Sequence, residues 1–180
     1  MAAAEKQPTT PLVNYVEGDA TAPVGDGLKI IAHCCNNVGA WGAGFVVALS
    51  KQWMRPEIEY RKWHRERKQR GDNELPLGAM QLVPVESDIY VANIIGQRGI
   101  RTAKGGVPPI RYEAIEKGFR YIAQFATAHP ERNVSVHAPR LGCGLAGASW
   151  SKIEPLLDRY FVLHGIPVTI YDLPGSSFNP

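Results

Sequence analysis

Two apolar runs in this chain stop at clusters of glycine. Residues 30–45 read IIAHCCNNVGAWGAGF, with Gly39, Gly42 and Gly44 closing the run. Residues 135–149 read SVHAPRLGCGLAGAS, with Gly142, Gly144 and Gly147. Each cluster stands between a strand-like segment and a helix-like one. Glycine in such a turn permits positive φ and removes the Cβ that would keep a ligand from the backbone. The first N–H groups of the following helix lack internal partners, and with the helix dipole they attract an anion. Neither cluster contains an acidic residue between strand end and helix start. One such turn is common in α/β proteins as a plain turn. Two of them, leaving neighbouring strands, would hold a diphosphate from both sides.

The rest of the pattern supports that arrangement. Strand signals fall at 12–16, 28–34, 79–85, 89–95, 134–138 and 168–173. The third and fourth are separated by ESD, which predicts a hairpin. Helical patterns cover 45–53, 56–70 and 112–129, the last with Ile115, Phe119, Ile122 and Ala126 on one stripe. Ser151 followed by Glu154 predicts a capping box opening a helix to about residue 164. Strands alternating with helices, with one hairpin, give an α/β fold: a mixed, mainly parallel sheet of about six strands between helices. Ligands in such sheets sit at the carboxyl ends of the strands, where both glycine clusters emerge.

At 180 residues the chain suits one domain, expected over 1–180 with a core at 12–173 and a tail at each end. The three cysteines, Cys34, Cys35 and Cys143, form no CxxC or CxxH pair, so neither a structural zinc nor a disulfide framework is expected. No metal or organic cofactor is implied. The N-terminal segment lacks the apolar core of a signal peptide, and no apolar run approaches the ~20 residues of a membrane span. A reducing, cytoplasmic setting is therefore expected. The net charge of +3 permits an anionic ligand without demanding nucleic acid.

One motif misleads. GCGLAG at 142–147 fits G-x-G-x-x-G, and Asp172 stands near the end of the next strand, as in a dinucleotide-binding fingerprint. Pro139 and Arg140 interrupt the run into the first glycine, and the sequence that follows is short for the rest of a doubly wound sheet. A nicotinamide-dependent oxidoreductase is therefore the weakest of the readings.

The segments HCCNNVGAWGAG and PRLGCGLAGASW, with VEGDAT after the first strand, resemble a macrodomain, the ADP-ribose-binding module. The resemblance runs from about residue 12 to 173. Its nearest branch is that of terminal ADP-ribose protein glycohydrolases and yeast-type ADP-ribose 1″-phosphate phosphatases. It implies a three-layer α/β/α macrodomain. Asp19 would accept from the adenine amino group, with the Ala20 backbone beside it. Gly39, Trp41, Gly42, Ala43 and Gly44 would line one side of the diphosphate and distal ribose. Gly142, Cys143, Gly144 and Leu145 would line the other, next to Ala146. Asn36 or Asn37 would bond the distal ribose, and Tyr171 or Leu173 would lie against the adenine.

The branch places a lysine after the second hairpin strand and an aspartate after GCGL. Here those places hold Gln97 and Ala146, so a lysine adduct is not expected. Cleavage at C1″ asks little more than a positioned, deprotonated water, because the transition state is oxocarbenium-like and the leaving carboxylate or phosphate departs readily. His33 is the candidate base, with Asn36 beside it; a satisfied core histidine is the alternative. Cys35 and Cys143 sit in the loops, where small buried packing residues are the default. Arg140 reads either as a diphosphate clamp or as a structural arginine. The cations of 98–111 either cover the distal ribose and read the modified protein, or form a solvated loop. The basic helix 55–70, diluted by Glu57, Glu59 and Glu66, reads as a solvated face with Tyr60 and Trp63 turned inward. The leading expectation is hydrolysis, releasing mono-ADP-ribose from acidic side chains or phosphate from ADP-ribose 1″-phosphate. The alternative is a non-catalytic reader of ADP-ribose or of ADP-ribosylated protein. No membrane partner is expected, and nucleic acid only as an ADP-ribosylated substrate.

Overall fold

The computed structural model describes residues 12–176. The tails expected at either end lie largely outside the described residues. Six strands, β1 (Asn14–Glu17), β2 (Lys29–Asn36), β3 (Met80–Glu86), β4 (Ile89–Gln97), β5 (Ser135–Ala138) and β6 (Val168–Asp172), form one sheet. Four helices, α1 (Phe45–Gln52), α2 (Arg55–Gln69), α3 (Tyr112–Ala128) and α4 (Trp150–Tyr160), complete it. The strand order is β1-β6-β5-β2-β4-β3. All neighbours are parallel except β3, which returns antiparallel on β4 as the hairpin predicted.

β2 explains the layering. Its side chains alternate between two cores, which is why its sequence is apolar on both faces. Ile30 and Ala32 join Ile115, Phe119, Ile122, Ile153 and Leu157 on the α3 and α4 side. Ile31 and Cys35 join Leu49, Tyr60, Val91 and Ile95 on the α1 and α2 side. Burying Phe119 and Ile115 completely contributes about 1.5–3 kcal/mol per side chain. Among the described residues the one buried Lys or Arg is Lys29, whose Nζ donates to the carbonyls of Gly25 and Gly27 and to Asp88 at 3.0, 3.2 and 2.8 Å. That bond holds the Asp88 carboxyl below the usual carboxylate range.

Two expectations are corrected. The first strand begins at Asn14 rather than at residue 12. The capping box does not form: Ser149 precedes α4 without a side-chain cap, and its hydroxyl bonds that of Ser151 at 2.8 Å. Glu154 instead accepts from Trp150 Nε1 at 3.2 Å and from the Tyr15 hydroxyl. A partner across the fold outcompetes the local cap. The helix closes at Tyr160, and a separate 3₁₀ turn covers Val162–His164.

Candidate ligand cleft

A cleft of about 450 Å³ opens where β2, β5 and β6 end, within the usual range for a small-molecule site. Gly18, Asp19 and Ala20 form one end, Gln97 and Ala146 border it elsewhere, and Tyr171 and Leu173 add an apolar wall. The start of α1 (Ala43, Gly44, Phe45, Val46) and the second glycine loop (Gly142, Gly144, Leu145, Ala146) complete the lining.

Both loops present bare amides. In the first turn of α1, Phe45 and Val46 have no partner inside the helix, and Gly44 at the N-cap offers no capping side chain. In the second loop the chain folds on itself through Cys143 N to Arg140 O, Gly147 N to Gly144 O and Ala148 N to Gly142 O, at 3.1, 3.1 and 2.7 Å. Those bonds leave the N–H groups of Gly142, Gly144, Leu145 and Ala146 without acceptors among the described residues. Gly144 has an ordinary φ and nothing within 4 Å of where a Cβ would stand. Neither backbone conformation nor packing requires glycine there, and the position opens onto the cleft.

The first loop is held from behind. The Asn36 amide donates to Ala40 O at 2.6 Å, and its Oδ1 accepts from Val38 N and Ala40 N, both at 3.1 Å. The Tyr60 hydroxyl lies 2.7 and 2.8 Å from Asn36 O and Oδ1. Arg61 reaches Trp41 O at 2.8 Å and Gly39 O at 3.3 Å. Gly39 sits at φ 77°, directly over the His64 ring. Trp41 Nε1 donates to Ser50 Oγ at 2.8 Å, and that hydroxyl donates to Glu57 at 2.7 Å. This bond, chiefly, lowers the pKa of Glu57.

His33 borders the cleft but is only 1% exposed. Its Nε2 lies 2.6 Å from Asn93 Oδ1. The Asn93 amide nitrogen donates to Pro56 O and Gln81 Oε1, so the oxygen faces His33 and Nε2 carries the proton. Trp41 and Phe45 flank the ring at 5.5 and 5.8 Å. Burial lowers the pKa to about 4, against the raising effect of Asn93. The imidazole is therefore neutral at physiological pH and a weak base.

Arg140 forms a bidentate pair with Asp172 at 2.8 and 2.9 Å, with the Tyr15 and Trp150 rings 5.0 and 5.2 Å from its guanidinium carbon. It lines the cleft while tying the second loop to the end of β6. Asp19 Oδ1 accepts from the Thr21 backbone and hydroxyl, both at 2.8 Å. Its other oxygen has no partner among the described residues. The Tyr171 hydroxyl bonds His137 Nδ1 at 2.7 Å. Burial, then Lys29, lowers the His137 pKa to about 4.

Of the residues singled out from sequence, Asp19, Ala20, His33, Ala43, Gly44, Arg140, Gly142, Gly144, Leu145, Ala146 and Tyr171 share this cleft. The others do not line it. Asn36 serves the loop, and Asn37 Oδ1 accepts from Gly99 N at 2.8 Å, which leaves neither facing the cleft. Cys35 is buried on the α1 and α2 side, and its neighbour Cys34 borders the cleft instead. Cys143 is half-buried against the α3 and α4 core. Trp41 lies under the loop, and Gly42 faces a separate depression with Val47, Ser50, Lys51 and Glu57. Asn93, Arg61 and His137 were not anticipated. The sequence signal for Asn93 is a lone amide in the apolar strand IYVANIIG, which burial obliges to find partners.

No protein-family model matches the chain. The structure superposes on a macrodomain protein from Streptomyces coelicolor with TM-score 0.73 and 49% sequence identity, covering 89% of this chain and 98% of that one. The chain belongs to the macrodomain family. Among curated proteins, it is 31% identical over 173 residues to the chromodomain-helicase-DNA-binding protein 1-like of Mus musculus. The match covers 91% of this chain and 18% of that much longer relative. It is also 25% identical to an ADP-ribose 1″-phosphate phosphatase of Meyerozyma guilliermondii, covering 87% of this chain and 98% of the phosphatase.

Proposed function

We propose that this macrodomain binds ADP-ribose in the cleft and hydrolyses at the distal ribose, releasing mono-ADP-ribose from acidic side chains or phosphate from ADP-ribose 1″-phosphate. The observation that carries the reading is the facing pair of amide-bearing walls, the first turn of α1 and the loop 142–146. A diphosphate between them accepts from both, and desolvation strengthens each bond. Asp19, at the Gly18–Ala20 end, takes the adenine amino group, and Tyr171 supports the ring. The near full-length similarity to a phosphatase of ADP-ribose 1″-phosphate supports the same ligand and reaction.

The titratable side chains lining the cleft are Asp19, His33, Cys34, Arg140 and Tyr171. His33 is a weak base, and Gln97 donates to Gly99 O at 3.1 Å rather than offering a charge. The reaction therefore leans on the substrate. A water oxygen bonds to C1″, the carboxylate or phosphate leaves with the bonding pair, and the water's proton passes to that anion or to solvent. With His33 out of range, the rate with the carboxylate-linked substrate is expected to be flat between pH 6 and 8, whereas that with the phosphate follows the phosphate's own second ionisation near pH 6. Gln97 and Ala146 favour one alternative, a reader that binds without turnover.

Calorimetry with ADP-ribose and AMP tests the ligand. ADP-ribose is expected to bind at least about tenfold tighter; equal affinities remove the diphosphate argument. Incubation with glutamate-linked ADP-ribosylated protein and with ADP-ribose 1″-phosphate tests turnover. Tight binding with no release from either substrate selects the reader.

A further inference from the structure

The segment between β4 and α3 takes no part in the cleft reading, yet it touches both glycine loops. Gly99 N donates to Asn37 Oδ1 at 2.8 Å, beside the first loop. Ile110 N donates to Ala146 O at 3.1 Å, and Pro108 lies 2.8 Å from where a Cβ on Gly147 would stand, both in the second loop. The segment therefore rims the cleft next to Gln97. Arg98, Arg101 and Lys104 stand exposed on it, and their side chains make no hydrogen bond or ion pair among the described residues. No acidic residue occurs between Asp88 and Glu113, so nothing on the segment offsets them. Ile100, between Arg98 and Arg101, and Val107, after Lys104, are 51% and 48% exposed. Its fold is fixed by backbone bonds, Arg98 N to Pro109 O at 2.9 Å and Ala103 N to Val107 O at 2.8 Å, so these side chains are not what shape it.

We infer that residues 98–107 form a docking surface for an acidic polypeptide segment flanking an ADP-ribosylated side chain. The inference rests on the ADP-ribose reading of the cleft. Unpaired cations at the rim attract flanking Asp and Glu, and Ile100 and Val107 give their apolar neighbours a place to lie. The segment carries no aromatic residue from 98 to 111, and hence no stacking platform for bases. That favours a peptide over a nucleic acid.

The test uses the full chain and three ligands: free ADP-ribose, and two peptides bearing ADP-ribose through a hydrolysis-resistant linkage, one with acidic flanks and one with glutamine flanks. The acidic peptide is expected to bind about tenfold tighter than the glutamine peptide at low salt, as a few exposed ion pairs allow. The preference disappears at high salt. R98E/R101E/K104E reverses it while affinity for free ADP-ribose stays within about twofold, and the milder R98Q/R101Q/K104Q removes it. Equal affinity for both peptides in the native chain overturns the inference with the cleft reading intact. Equal losses for free ADP-ribose and peptide in the charge-reversed protein assign the cations to the nucleotide site instead. An ADP-ribosylated oligonucleotide that outbinds the acidic peptide assigns the surface to nucleic acid. Absence of free ADP-ribose binding by the native chain removes the cleft reading and the inference together.

Discussion

The two glycine loops do the same thing by different means. The first is held from outside by side chains: Asn36 folds into it, Tyr60 and Arg61 reach it from α2, and a Trp41–Ser50–Glu57 line fastens it to the helices. The second holds itself by backbone bonds, with Arg140 as a strap to Asp172. Each also lies by a buried neutral histidine, His33 under the first and His137 on the strand that feeds the second. Their glycines divide in a way that sequence alone conceals. Gly39 and Gly142 have positive φ and crowded surroundings, so the fold needs them. Gly144 has neither, and it lines the cleft, so the fold itself does not need glycine there. Similar sequence signals thus mix architectural positions with ligand-facing ones.

The largest expected effect comes from acid. Burial lowers both histidines to about 4, below the ordinary value near 6.5 of an unfolded chain. The unfolded state takes up their protons first, so this stability is complete above about pH 6.5 and is lost as pH falls towards 4. For His33 that amounts to on the order of 3 kcal/mol, and His137 adds in the same direction. Chemical denaturation between pH 4 and 7 measures it. H33Q should flatten the slope by close to one proton; an unchanged slope would mean His33 is not buried neutral.

Gly144→Val separates the two kinds of glycine. It should weaken ADP-ribose about a hundredfold, near 2.7 kcal/mol, with the melting temperature within a few degrees of the native value. Gly142→Ala should show the converse, a stability loss of about 1–2 kcal/mol from left-handed backbone strain with a smaller effect on affinity. If both substitutions act only on stability, the distinction between the glycines fails.

Tyr60→Phe removes a hydroxyl that meets Asn36 at two atoms. A loss of about 1–3 kcal/mol is expected, because a buried group is left short of a partner. Ser50→Ala cuts the Trp41–Glu57 line and should cost about 1 kcal/mol. Among the described residues no side chain of α1 or α2 hydrogen-bonds the second loop, so solvent exchange of its amides should be unchanged by either substitution. Faster exchange there would show that the loops are not held independently.

Most of the fold was legible because its causes are local. β2 and β4 are apolar on both faces, α3 carries its stripe, and the turn between β3 and β4 is short. The glycine clusters also marked the cleft, since they follow β2 and β5 in a sheet whose order puts those strands side by side. What escaped the sequence was partner choice across the fold. Glu154 left its cap for Trp150 and Tyr15. Asn36 and Asn37 turned into the loops rather than toward the cleft. His33 found Asn93, 60 residues away. The spacing of residues cannot say which of two polar partners a side chain meets when the second comes from another strand.

Amide-resolved NMR during titration with ADP-ribose tests the central claim most directly. The N–H signals of Phe45, Val46, Gly142, Gly144, Leu145 and Ala146 should move downfield together at saturation, as amides that gain an anionic acceptor do, and should move less with AMP. Saturating ADP-ribose that leaves these six amides in place while shifting others would contradict the account.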